Sequence, residues 1–127
     1  MEPAEVVREL WARVEARDWP GVGALIARDA TVEWPVSAEL IEGRENFVSV
    51  NSEYPEGWSI RVLRVVADGE SVVSEVEVPQ EGVGVFRAVS FWTVRDGLVT
   101  AGREYWTSPG AEEPPAWRTP YTRRLPR

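Results

Sequence analysis

The chain of 127 residues contains no cysteine, no histidine and no lysine, and all 14 of its basic residues are arginine. The absence of cysteine excludes disulfides, thiolate zinc sites and thiol nucleophiles. The absence of histidine excludes a Ser-His-Asp triad, a histidine metal site and the usual proton shuttle near neutral pH. Any acid–base chemistry must therefore come mainly from Asp, Glu or Tyr side chains with a shifted pKa, and we expect no metal and no cofactor.

Positive charge is also scarce, and the net charge is −7. An acidic chain without a basic stripe is poorly suited to bind nucleic acid or an anionic membrane surface. The sequence has no run of about 18 apolar residues, and no charged segment followed by an apolar run at its start. We therefore expect a cytoplasmic protein that binds neither nucleic acid nor membrane.

What the chain does contain is apolar and aromatic: 43% of its residues are hydrophobic and seven are tryptophan. This composition and length predict one globular domain. Three helices are predicted in the first half, over residues 3–17, from Pro20 to about 28–29, and over 44–54, with a brief strand at 31–34 and a loop before the third helix. The apolar stripe of the second helix is expected to be Val22, Leu25 and Ile26.

From residue 58 the apolar pattern changes from helical spacing to alternation, which predicts antiparallel strands. Four strands are expected, over 59–67, 71–78 and 83–94 and from 98 onward, with hairpin turns at Asp68–Gly69 and Asp96–Gly97. Helices on one face of a curved sheet make an α+β domain with a pocket on the concave side.

The last stretch, residues 108–127, is rich in proline, which discourages regular structure. Trp117 and Tyr121 within it need apolar surface to pack against. We therefore expect a domain at 1–107 and a tail at 108–127 that packs on the domain or on a partner.

Alternation divides the last strand into two faces. Thr100, Gly102, Glu104 and Trp106 are expected to face the concave side, with Trp34 and Trp92 nearby. Desolvation there would raise the pKa of Glu104 toward the range in which a general acid or base works. The alternatives are a structural glutamate bonded to an indole or paired with an arginine (Arg61, Arg64 and Arg87 are on neighbouring strands). Val99, Ala101, Arg103 and Tyr105 are expected on the opposite face, which would suit a dimer interface.

Glu75 and Glu77 share one face of their strand with Val73, opposite Val72, Val76 and Val78. This pattern favours an ordinary solvated face. If the face is instead concave, several carboxylates would crowd together and one would hold a proton.

Three strings carry a resemblance to a known family: residues 29–36 (DATVEWPV), 43–45 (GRE), and 96–99 (DGLV) with 103–106 (REYW). They resemble the nuclear transport factor 2-like superfamily, in particular its SnoaL-like branch, over about residues 6–107. The resemblance implies a cystatin-like cone in which three N-terminal helices pack on a curved, mostly antiparallel sheet, often as a homodimer. That superfamily hosts isomerases, epoxide hydrolases, polyketide cyclases and proteins without catalysis.

Its ketosteroid isomerases match closely around 31–36, but their catalytic Asp falls on Trp34, their oxyanion-hole Tyr on Leu10 and their oxyanion-hole acid on Ser90. The resemblance therefore does not imply ketosteroid isomerisation by that mechanism.

Its limonene epoxide hydrolases have their two Asp residues at Glu104 and Glu77, but the Arg between them falls on Glu75, and their water ligands fall near Val32 and Trp34. Polyketide cyclases of the SnoaL type use a single acidic residue in an apolar pocket, which Glu104 could supply.

Two functions stay open. The first is a small-molecule enzyme of the cyclase, isomerase or hydrolase type that uses Glu104 on an apolar substrate, and the second is a non-catalytic ligand-binding or dimerisation module with the same pocket. The residues expected to line the pocket are Leu10, Val14, Trp34, Glu77, Ser90, Trp92 and Trp106.

Overall fold

The computed structural model describes residues 1–126, which fold into three α-helices, a six-stranded sheet and a short 3₁₀ helix. This confirms the predicted α+β class. No helix in residues 1–126 is long and apolar enough to cross a membrane. The elements are α1 (Pro3–Glu15), α2 (Trp19–Gly23), β1 (Ile26–Trp34), β2 (Glu39–Glu42), α3 (Arg44–Ser52), β3 (Arg61–Asp68), β4 (Ser71–Gln80), β5 (Gly84–Arg95), β6 (Leu98–Thr107) and the 3₁₀ helix (Ala116–Tyr121).

The sheet has the strand order β2-β1-β6-β5-β4-β3, and within residues 1–126 the β1–β6 pair is parallel and the other four pairs are antiparallel. The helices cover one face, here called the inner face, and α1 contacts β3, β4, β5 and β6. Alternation in β4 sends Val72, Ser74, Val76 and Val78 to this face, where all four are buried. The core therefore lies between the helices and one side of the sheet.

Helix α1 forms because its apolar residues recur at helical spacing and all of them are buried. It ends before Arg17, whose φ of 58° lies in the left-handed region. Asp18 then caps α2, since its side chain accepts a hydrogen bond from the Gly21 amide at 3.0 Å.

The second helix is shorter than predicted because β1 begins at Ile26, five residues before the predicted strand. Ile26 pairs with Val99, and the Val99 amide donates to the Leu25 carbonyl at 2.8 Å. Spacing alone made Leu25 and Ile26 resemble a helical stripe, whereas strand pairing with β6 decides their conformation. Strand β2 was not predicted; it buries only Ile41, which is too little alternation to recognise.

The hairpin turn predicted at Asp96–Gly97 is confirmed, with φ of 51° and 76° at the two residues. The other turn lies one residue later than predicted. Because Asp68 pairs with Ser71, the turn residues there are Gly69 and Glu70.

A bulge in β6 corrects the predicted faces of that strand. Ala101 pairs with Thr93 and Val99 pairs with Val94, so Thr100 is an extra residue. The bulge turns Val99 to the inner face, where it is completely buried. The prediction that Val99 lies on the outer face is therefore wrong, while Tyr105 does lie there, partly exposed.

After β6 the chain continues as the proline-rich tail, which has the 3₁₀ helix as its only regular element up to residue 126. Trp117 and Tyr121 are 74% and 83% exposed. Within one copy of the domain these two rings lack the apolar contact that was predicted for them. Packing of the rings on a partner stays a prediction. Arg127, the last residue of the predicted tail, lies outside the described residues.

Candidate functional site

Glu104 lies on the inner face of β6, between the inner-face positions of Gly102 and Trp106. It is 3% exposed. Antiparallel pairing puts Ser90 of β5 directly opposite, and the Ser90 hydroxyl donates to Glu104 Oε2 at 2.7 Å. The indole N–H of Trp34, at the end of β1, donates to Glu104 Oε1 at 3.1 Å. Three strands thus fix the position of one carboxyl group.

Burial raises the pKa of Glu104, because the charged form loses its hydration. The hydrogen bonds from Ser90 and Trp34 act in the opposite direction, since both stabilise the carboxylate. Within residues 1–126 no arginine forms a salt bridge with Glu104. The structural alternative of a glutamate locked by Arg61, Arg64 or Arg87 is therefore wrong, whereas the bond to an indole is present.

Glu104 faces a cavity of about 310 Å³ between the inner face, α1 and the segment that precedes β3. The lining residues that are themselves buried form its inner end, namely Trp11, Val14, Trp58, Val78 and Glu104. Trp34, Ile60, Phe86 and Trp106 form its partly buried sides, and Asn51 also contributes. The exposed lining residues form the mouth: Val36, Ser37, Glu39, Tyr54, Thr107 and Ser108.

Trp58 reaches the cavity because the end of α1 holds the segment before β3. The Arg17 guanidinium stacks on the Trp58 ring at 3.4 Å from its centroid and donates to the Trp58 carbonyl at 2.6 Å. It also pairs with Glu56 at 2.8 Å, and that hydrogen bond raises the pKa of Arg17. The Glu15 carboxylate accepts from the Ile60 amide at 2.8 Å, which fixes the other side of this segment.

Two tryptophans of the lining have buried indole N–H groups without a hydrogen-bond partner in residues 1–126, Trp58 and Trp106. Because both nitrogens are covered, the surface that these rings give to the cavity is carbon. The Trp106 ring also meets the Trp34 ring edge to face, with centroids 6.5 Å apart and an angle of 72° between the planes.

Of the residues expected to line the pocket, the structure places Val14, Trp34 and Trp106 at the cavity with Glu104, and three others behind its wall. Leu10 is in the core between α1 and the sheet. Ser90 is completely buried and reaches the cavity only through its hydrogen bond to Glu104.

Trp92 is also a core residue and not part of the cavity wall. Its indole N–H donates to Ser74 Oγ at 2.9 Å, and its ring meets those of Trp11 and Phe47 edge to face. The ring lies over Gly102, where an added Cβ would be 2.7 Å from two of its carbons. The missing side chain of Gly102 therefore lets Trp92 lie flat against the sheet.

Glu77 does not line the cavity, so its expected place in the pocket is wrong. It lies with Glu75 on the outer face, opposite the buried valines of β4. Its carboxylate bonds to Arg61 and Arg87, the latter at 3.1 Å. These hydrogen bonds lower the pKa of Glu77.

The sequence reading missed several lining residues, among them Tyr54, Trp58, Ile60, Val78 and Phe86. For two of them the sequence contained a signal. Phe86 lies an even number of residues from Ser90, and Val78 from Val76, so each pair shares one face of its strand. Trp58 gave no such signal, since it precedes β3 and depends on Arg17, 41 residues away in the chain. No group of three or more acidic residues in 1–126 is arranged to hold a metal ion.

Comparison with known proteins places this geometry among small α+β domains. The family model of the SnoaL-like domain matches residues 7–102. No curated protein matches the chain.

Solved structures match over nearly the whole chain. A candidate ketosteroid isomerase from Kribbella flavida is 34% identical, with a TM-score of 0.89, over 98% of this chain and 90% of its own. An NTF-2 like protein of unknown function from Burkholderia xenovorans is 25% identical, with a TM-score of 0.80, over 98% and 95%. An LEH-like epoxide hydrolase from M. tuberculosis is 21% identical, with a TM-score of 0.71, over 83% and 82%, and this likeness shows the fold alone.

Proposed function

The chain belongs to the SnoaL-like domain family, and from this premise we propose that it binds a small apolar molecule in its tryptophan-lined cavity and uses Glu104 as general acid and base. The observation that carries the proposal is a nearly buried carboxyl at the cavity wall without an arginine partner in residues 1–126. Burial raises the pKa of Glu104 above its ordinary value, toward the range in which proton transfer at neutral pH is efficient.

The hydrogen bonds to Glu104 suit this role. A carboxylate has about four lone-pair positions, and Ser90 and Trp34 occupy one on each oxygen. They fix the orientation of the group and leave further positions for a ligand proton. Apolar walls exclude water, which strengthens electrostatic interactions inside the cavity.

The geometry supports proton transfer by a single acidic residue and not by a relay of several residues. The positions that correspond to the other acid and the Arg of limonene epoxide hydrolases are Glu77 and Glu75, and both lie on the outer face. Trp34, Leu10 and Ser90 replace the functional residues of ketosteroid isomerases. We therefore favour proton transfer by Glu104 alone, as in cyclases of the SnoaL type, on a substrate that fits about 310 Å³.

The test is the substitution Glu104→Gln, which keeps the shape of the side chain and removes its proton transfer. Compounds that raise the melting temperature identify ligands, and each is then assayed for turnover. For ligands without a positive charge we expect the variant to retain binding, while turnover falls by about 10²- to 10⁴-fold, the usual contribution of a general acid or base.

Glu77→Gln is the matched control, because it makes the same chemical change on the outer face and should leave turnover unchanged. Unchanged turnover in Glu104→Gln would refute the assignment. Binding without turnover in the wild type would favour the second candidate, a non-catalytic ligand-binding module.

We also propose that the outer face forms a homodimer. Phe91 and Tyr105, 42% and 36% exposed, meet edge to face with centroids 6.2 Å apart, and the Arg103 guanidinium lies 5.8 Å from the Phe91 centroid. An aromatic strip of this kind on a sheet face is typical of an interaction surface. A partner would also supply apolar surface for Trp117 and Tyr121 of the tail.

A further inference from the structure

Among the described residues, Glu104 is the one charged side chain at the inner end of the cavity. Trp11, Val14, Trp58 and Val78 contribute apolar surface there, and Glu104 contributes the carboxyl. Because the buried indole nitrogen of Trp58 is covered, its ring offers carbon and not a hydrogen-bond donor. A ligand that reaches this end therefore meets aromatic carbon and one acid.

The charged residues of the lining are all acidic. Besides Glu104 they comprise only Glu39 at the mouth, within residues 1–126. Arg17 does not line the cavity, and its charge is balanced by Glu15 and Glu56 at 3.3 and 2.8 Å. Within the part of the chain that the structure describes, an anionic ligand would thus find two carboxyl groups and no basic side chain in the lining, whereas a cation would find its counterions.

The aromatic rings of the cavity also favour a positively charged ligand. The faces of aromatic rings carry partial negative charge and attract cations, most strongly at tryptophan. Trp34 and Trp106 meet at 72° and so form two walls of a corner, and the Trp34 indole bonds to the Glu104 carboxylate. The two aromatic rings and the Glu104 carboxylate therefore lie next to one another in the cavity lining.

We propose that the ligand of this cavity is a small organic cation, an apolar molecule with an amine or a quaternary ammonium group, seated against the corner formed by Trp34 and Trp106 with Glu104 as its counterion. The inference rests on the proposed function, because it names the ligand class for the same cavity and the same carboxyl. The net charge of −7 favours the approach of such a ligand.

Cation binding should be linked to a proton. Burial raises the pKa of Glu104 in the empty cavity, and only its ionised form is a counterion. A quaternary ammonium ligand should therefore bind more tightly as the pH rises through that pKa, and binding should release a proton. The other titratable groups that face the cavity are Glu39 and Tyr54, both exposed at its mouth.

The test compares two probes of one shape, choline and its neutral isostere 3,3-dimethylbutan-1-ol, by calorimetry and tryptophan fluorescence. In the wild type we expect choline to bind more tightly by about tenfold or more, the effect of a desolvated cation–π contact. The preference should be reduced in Glu104→Gln, which removes the counterion and keeps the aromatic rings, and Glu77→Gln should retain it in full. Trp106→Leu serves as a second variant, which should weaken choline binding more than binding of the isostere.

Equal or tighter binding of the neutral isostere would overturn the inference and leave the apolar cavity and the role of Glu104 intact. Failure of both probes to bind would also overturn it, and the proposed function would then depend on its own compound screen. A preference for choline that Glu104→Gln does not reduce would refute Glu104 as the counterion.

Discussion

Glu104 and Glu77 lie on opposite faces of the same sheet, and side chains donate to both oxygens of each carboxylate. On the inner face the donors to Glu104 are neutral, the Trp34 indole and the Ser90 hydroxyl. The pKa of Glu104 is raised nonetheless, because burial outweighs the two hydrogen bonds.

On the outer face the donors to Glu77 are the guanidinium groups of Arg61 and Arg87, and the pKa of Glu77 is lowered. The number of hydrogen bonds is therefore not what separates the two glutamates. The difference lies in the charge of the donors and in access to water. Two neutral donors orient the Glu104 carboxyl while burial raises its pKa, whereas two cationic donors lower the pKa of Glu77 and favour its ionised form.

The largest effect on stability is expected from removing a hydrogen-bond donor to Glu104 on the inner face. Ser90→Ala leaves Glu104 Oε2 without its buried 2.7 Å partner and should lower the free energy of unfolding by about 1–3 kcal/mol. It should also raise the pKa of Glu104 further, because the lost hydrogen bond favoured the carboxylate. Urea unfolding at neutral pH measures the first effect.

The matched outer-face variant is Arg87→Gln, which removes an exposed donor from Glu77 and should destabilise the protein much less than Ser90→Ala, because water replaces the lost donor. Equal losses in the two variants would show that the two faces do not differ in solvation as described.

A smaller effect, spread over a range of pH, should appear in the stability profiles of the two glutamine variants. Because the folded-state pKa of Glu104 is raised, the folded protein holds a proton that the unfolded chain releases. The contribution of Glu104 to the free energy of unfolding is thus complete below the ordinary glutamate pKa and is lost as the pH rises through the raised value. Glu77 has the opposite sign, so its contribution is present above the ordinary glutamate pKa and is lost as the pH falls.

Urea midpoints from about pH 3 to pH 8 distinguish the two, since the ordinary glutamate pKa is about 4.3. Glu104→Gln should remove the decline above that pKa, and Glu77→Gln should reduce the decline below it. Glu56, whose pKa is also lowered, contributes to the acid side in every variant. A Glu104→Gln profile parallel to the wild type above pH 5 would contradict the buried carboxyl described here.

The position of Glu104 could be predicted because it lies after the bulge in β6. Alternation therefore groups it with Gly102 and Trp106, and the Asp96–Gly97 turn defines the hairpin. The bulge itself has no glycine or other marker, so Val99 was assigned to the wrong face.

The pocket role of Glu77 shows a different source of error. The row of valines in β4 already indicated which face is buried, and the structure agrees with that pattern. The expectation that Glu77 lines the pocket came from the resemblance to limonene epoxide hydrolases. Such a resemblance carries over residue positions but not the arginines that hold this side chain on the outer face. Trp58 was missed because a contact across 41 residues, to Arg17, positions it.

The smallest effect on folding is expected at the aromatic strip of the outer face, where Phe91→Ser removes a ring that is 42% exposed in one copy of the chain. The substitution removes a cross-strand aromatic contact, which contributes about 0.2–1 kcal/mol to the free energy of unfolding, so the monomer should still fold. The dimer should weaken, because the ring contacts both Tyr105 and, in our proposal, the second copy. Sedimentation velocity over a range of concentrations should show a dimer for the wild type and a shift toward monomer for Phe91→Ser. Val83→Ser, at an exposed valine between β4 and β5, should sediment like the wild type. A wild type that is monomeric throughout would contradict the proposed dimer and leave the outer face as a solvated surface.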